Sequence, residues 1–132
     1  MTDATYGYTK NLGKITFDEA EKRIEAALKT EGFGVLTEID VKATLKKKID
    51  VDFRPYKILG ACNPKLAHHA LTNEPLIGLL LPCNVVLMEE DDGSLTVSAA
   101  KPSEMFKIVE NPGMAEIAGE VDAKIQRVVE TI

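Results

Sequence analysis

The stretch Val85–Ala100, VVLMEEDDGSLTVSAA, decides how this chain folds. Two apolar runs, Val85–Glu90 and Leu95–Ala100, flank Asp91-Asp92-Gly93-Ser94, a turn sequence whose glycine accepts the backbone angles of a tight reversal. The pattern predicts a β-hairpin, and therefore an antiparallel pair. Downstream, Pro102–Val109 reads as a short helix. Asn111-Pro112 then combines an N-cap residue with a first-turn proline. It launches Gly113–Ile132, where Met114, Ile117, Ala118, Val121, Ile125, Val128, Val129 and Ile132 form one helical stripe. A hairpin followed by a long amphipathic helix is the signature of a sheet covered on one face.

Upstream of the hairpin, Leu76–Leu81 is an apolar run of ambiguous period that ends at Pro82. Helix Pro64–Thr72, capped by Asn63, places Leu66, Ala67, Ala70 and Leu71 on one side. Tyr56–Ala61 reads as a buried strand. Val41–Ile49 is a lysine-rich helix capped by Asp40, with Val41, Leu45 and Ile49 as its apolar stripe. Phe33–Ile39 is a short strand. Thr16–Glu31 is an amphipathic helix with a Thr16/Glu19 capping box, an Ile15/Ala20 staple and Gly32 as its stop. Alternation predicts a strand over Ala4–Leu12. The order is β-α-β-α-β-α-β-β-α-α. It predicts a single α+β domain over residues 1–132, with one antiparallel sheet and helices packed on one face.

Composition narrows the function classes. At 132 residues and 45% hydrophobic, the chain suits one folded domain with an aliphatic core, since aromatics are only 5%. A net charge of −5 argues against generic nucleic-acid binding, and no nucleic-acid partner is expected. The longest apolar run falls far short of the ~20 residues a membrane span needs. The first residues carry neither a basic nor an apolar leader segment. A soluble cytoplasmic protein without a membrane partner is the expectation, with Cys62 and Cys83 as free thiols. The common phosphate-loop, dinucleotide, nucleophile-elbow and zinc-protease motifs are absent from the sequence.

The candidate chemistry gathers around a repeated dipeptide. Cys62-Asn63 and Cys83-Asn84 each follow an apolar run, and neighbouring runs would bring two thiols and two carboxamides to one small site. Cys62 precedes a helix start, where free N–H groups and the helix dipole favour a thiolate. Glu38 and Asp40 share a face by period-two alternation and are candidate contributors of acid/base or cation-binding carboxylates. Each has a plainer reading as well: the cysteines as small buried hydrophobes, Asn63 and Asp40 as helix caps, and Glu38 as a lysine's partner. The cysteine spacing is not that of a zinc ribbon. His68 and His69 diverge by roughly 100° on one helix, so they read as surface residues. Residues 42–57 hold six basic groups against two aspartates, a surplus of +4 that leaves −9 for the rest. Three functions follow. The first is a small-ligand or metal-ion binding module at the two Cys-Asn pairs. The second is a thiol-dependent redox protein or enzyme with Cys62 as nucleophile and Cys83 as resolving partner. The third is an interaction module that docks an acidic partner on the 42–57 surface.

Three segments also carry a resemblance. Leu36–Leu45 (LTEIDVKATL), Gly60–Ala67 (GACNPKLA) and Leu81–Val85 (LPCNV) resemble the family called "domain of unknown function 302". The similarity runs from about residue 5 to residue 130, with no departure at Glu38, Asp40, Cys62, Asn63, Pro64, Pro82 or Cys83. The resemblance implies a compact α+β fold of TATA-binding-protein-like type and a homodimer. It implies no reaction and nothing about DNA, because fold does not fix function.

Overall fold

Alternating side chains on five strands build one antiparallel sheet in a computed structural model that describes residues 2–132. The strands are β1 (Gly7–Gly13), β2 (Gly34–Asp40), β3 (Tyr56–Cys62), β4 (Cys83–Glu89) and β5 (Leu95–Ala100), in spatial order β1-β5-β4-β3-β2. The helices are α1 (Phe17–Thr30), α2 (Val41–Ile49), α3 (Pro64–Asn73), α4 (Pro102–Met105) and α5 (Pro112–Thr131). Antiparallel strands with helices gathered on one face are the α+β architecture that the hairpin and long helix announced.

The core lies where one sheet face meets α1 and α5. Leu59, Ala61, Val85, Leu87, Leu95, Val97 and Ala99 turn towards Ala20, Ile24 and Leu28 of α1 and Met114, Ile117 and Ile125 of α5, all buried. The hairpin registers Val85 against Ala99 and Leu87 against Val97, so the two alternating patterns merge into one apolar surface. Burying it removes apolar area from water at about 25 cal/mol per Å², the main stabilising term.

Sequence signals for helix ends are realised with one change. Thr16 accepts from Glu19 N–H at 3.1 Å, yet the Glu19 carboxylate reaches Arg23 instead of returning to the cap, so the box is one-sided. Gly32 ends the α1 region at φ +83°. β1 begins at Gly7, after a turn in which Gly7 N–H donates to the Ala4 carbonyl. The ambiguous run becomes a 3-10 segment, Pro75–Leu80, between a first-turn proline and the cis Leu81–Pro82 bond. Pro102–Val109 divides into α4 and a 3-10 turn, Phe106–Ile108. Between Val35 and Thr37 the β2–β3 register shifts, which leaves Leu36 as the extra residue of a bulge.

Candidate functional site

Cys62 is the last residue of β3 and Cys83 the first of β4, and Ala61 pairs directly with Cys83. The two cysteines thus lie on adjacent interior strands at the same end of the sheet. Both are half-buried free thiols, and both line one cavity of about 340 Å³. Leu66, Ala67 and Ala70 of α3 form one wall, and Ile117 and Val121 of α5 another. Phe33 and Phe106, both buried, also line it. The mouth is rimmed by Leu36 and Leu71, which are 69% and 41% exposed. Among the described residues no charged side chain lines the cavity.

This polarity acts on the Cys83 thiol. Burial, and secondarily the neighbouring Cys62, pushes the Cys83 thiol up to about 11. A protonated thiol behaves there as a small apolar group with a weak donor. Asn63 stands at the edge with its amide already engaged. Its Oδ1 accepts from Leu66 N–H at 3.3 Å, capping α3, and its Nδ2 donates to the Glu31 carbonyl at 3.1 Å, tying α3 to the end of α1.

The structure therefore brings Cys62, Asn63 and Cys83 together and leaves three other candidates elsewhere. Asn84 is exposed beside a smaller hollow of about 150 Å³. Glu38 Oε1 accepts from Lys57 Nζ at 2.8 Å, and Lys57 also meets Glu21 at 2.7 Å. The two carboxylates, Glu21 foremost, hold the Lys57 ammonium well above the ordinary lysine range. Asp40 accepts from Ala43 N–H at 2.9 Å and caps α2. His68 and His69 are exposed on α3. Among the described residues no three His, Cys, Asp or Glu side chains converge as a metal centre would require. In the basic segment, Lys46 pairs with Asp50 and Asp52, and Arg54 pairs with Asp91. With Lys57 also held, half of its cations already face carboxylates.

Sequence reasoning missed Leu36, Thr37 and Pro82, which complete the cavity. The available signal was Gly60. A glycine inside an apolar strand marks a close approach. A Cβ there would run into Thr37 Oγ1 and lie 2.7 Å from Pro82 Cγ.

A family model described as "Domain of unknown function DUF302" matches residues 8–132. The chain belongs to the DUF302 family. Among solved structures, it is similar to an uncharacterized conserved DUF302 protein from Bacillus stearothermophilus, at 32% identity and a TM-score of 0.87. That match covers 97% of this chain and 98% of the other. No curated protein matches. Membership in DUF302 thus accounts for the architecture, while the chemistry has to be argued from the cavity itself. Among the described residues of this DUF302 chain, no helix is long and apolar enough to cross a membrane.

Proposed function

We propose that this DUF302 protein is a binding module that holds a small apolar molecule in the cavity between Cys62, Cys83, α3 and α5. The observation that carries the reading is the cavity: about 340 Å³, concave, apolar and free of charged lining. Small-molecule sites run from roughly 300 to 1,000 Å³ with mainly hydrophobic walls and a few polar groups, so this one falls at the small end. The test is a titration with 1-aminonaphthalene, an uncharged probe whose emission reports polarity. Saturable blue-shifted emission that is lost in Ala67→Phe, which fills the cavity from α3, supports the reading. Emission that stays at the buffer value, or survives the filling substitution, sinks it.

The thiol-exchange reading draws support from the two cysteines sharing this cavity. The surroundings of Cys83 weigh against it, because a thiol near 11 supplies little thiolate at neutral pH. Binding accordingly ranks above catalysis, and the cavity's two thiols above a metal centre. Docking of an acidic partner ranks last, since Lys46, Arg54 and Lys57 already have carboxylate partners.

We further propose that the chain acts as a single domain and works as a homodimer through the sheet face opposite the helices. There Ile58 pairs with Val86 and Tyr56 with Met88, a half-buried block on the face away from α1 and α5. Sedimentation equilibrium tests this, with twice the 14.4 kDa chain mass as the expected result and the single-chain mass as the contrary one.

A further inference from the structure

The cavity offers a ligand few polar handles. The Asn63 amide is engaged on both sides by Leu66 N–H and the Glu31 carbonyl. What remain are chiefly the two thiols, which hydrogen-bond weakly. The Thr37 hydroxyl is turned onto Gly60, on the sheet face that Gly60 shares with Ile58 and away from Leu59 and Ala61.

A carboxylate or phosphate brought into such a space gives up its hydration and meets no cationic side chain of the described residues in return. Burying an unpaired charge is among the costliest exchanges in a protein. The wall itself responds in this sense, because burial is the leading cause that raises the Cys83 thiol, so negative charge is disfavoured at that surface. Size adds a second limit. A volume of about 340 Å³ equals about eleven waters at the liquid's ~30 Å³ each. An occupant of roughly ten heavy atoms matches it on the same measure.

We infer that the ligands are uncharged, mainly aliphatic or small aromatic molecules with at most one hydroxyl or carbonyl group, and that the cavity rejects the matching carboxylates. This inference rests on the cavity being a binding site. In it, the ligand's aliphatic part packs on Leu66, Ala67 and Ile117, beside the weakly hydrogen-bonding thiols of Cys62 and Cys83.

The experiment pairs 1-octanol with octanoate at pH 7.5 on the intact protein. It follows the methyl ¹H–¹³C shifts of Ala61, Ala67, Ala70 and Ile117. Octanol is expected to saturate these shifts with an affinity at least tenfold above that of octanoate. Ala67→Phe should abolish the response, and Ala70→Leu serves the same purpose where the larger substitution impairs folding. Octanoate binding as tightly as octanol at the same methyls overturns the ligand class but leaves the cavity as a binding site. Methyls that move with neither ligand overturn both.

Discussion

Asp122 is a carboxylate on the buried side of α5, and three donors converge on it: the Tyr8 hydroxyl, the Ser103 hydroxyl and the Ser103 backbone N–H. One side chain thereby ties β1, α4 and α5 together. The bond to Asp122, followed by burial, pushes the Tyr8 phenol from 10.0 up to about 12. A folded state that grips a proton more tightly than the unfolded chain is stabilised fully below the unfolded value, and that stability is lost as pH rises through the folded one. Tyr8 thus contributes below about pH 10 and loses its contribution towards pH 12. Cys83, raised from 9.0 to about 11, does the same one unit lower. Alkaline loss of stability is therefore expected from about pH 9 to 12 in two overlapping steps. Urea unfolding at pH 8.5, 10 and 11.5 separates them. Tyr8→Phe should flatten the upper step and Cys83→Ala the lower. An unchanged slope in Tyr8→Phe would remove the phenol from this account. Asp122→Ala, which removes the charged acceptor these part-buried donors share, should cost about 1.5–3 kcal/mol at neutral pH.

At the scale of elements, the cavity depends on how β2, β3 and β4 are pressed together at Gly60. A methyl group at that position has no room between Thr37 and Pro82, so Gly60→Ala should destabilise by about 1–3 kcal/mol, the usual cost of overpacking. It should also weaken 1-aminonaphthalene binding, because the displaced residues are cavity walls. Caps separate stability from binding in another way. Asn63→Ala and Asp40→Ala each remove an N-cap and should each cost about 1 kcal/mol by thermal unfolding. Only Asn63→Ala should alter probe affinity, since Asp40 lies outside the cavity; equal loss in both would contradict the site's boundaries. The caps were legible in the sequence because they are local: Thr16, Asp40, Asn63 and Asn111 all accept from N–H groups two or three residues on. The Leu36 bulge was not legible, because nothing local requires it. It exists in the pairing of β2 with β3, and pairing is a long-range choice. The meeting of Cys62 and Cys83 is of the same kind, set by the register that places Ala61 opposite Cys83. The repeated Cys-Asn dipeptide pointed to the right neighbourhood, yet of its four residues only Cys62, Asn63 and Cys83 share it. Alternation along β4 sends Asn84 to the opposite side from Cys83.

For the molecule as a whole, the asymmetry between the two sheet faces is the fact to explain. One face is sealed by α1 and α5 around the core, while the other carries Ile58, Val86 and Met88 at its centre. Its flank on β5 and β1 is polar: Thr9 and Ser98 hydroxyls share a hydrogen bond of 2.8 Å, and Asn11 donates to Ser94. An apolar centre beside a polar margin is the layout of a protein interface. Antiparallel sheets tolerate one solvated face, so the alternative is a monomer with a few surface aliphatics. The two cases differ in their response to charge. Val86→Lys places an ammonium at the centre of the proposed contact, directly opposite Ile58. In a dimer it meets its own symmetry mate across the two-fold axis, and like charges there repel in a desolvated setting. The wild-type protein should sediment at twice 14.4 kDa and the variant at 14.4 kDa, with 1-aminonaphthalene affinity retained, because Val86 is not among the residues that line the cavity. A wild-type protein at the single-chain mass would refute the dimer and leave the cavity reading untouched. A Val86→Lys protein that stays dimeric would instead move the interface off this face, and the exposed leucines at the cavity mouth, Leu36 and Leu71, would be the next surface to charge.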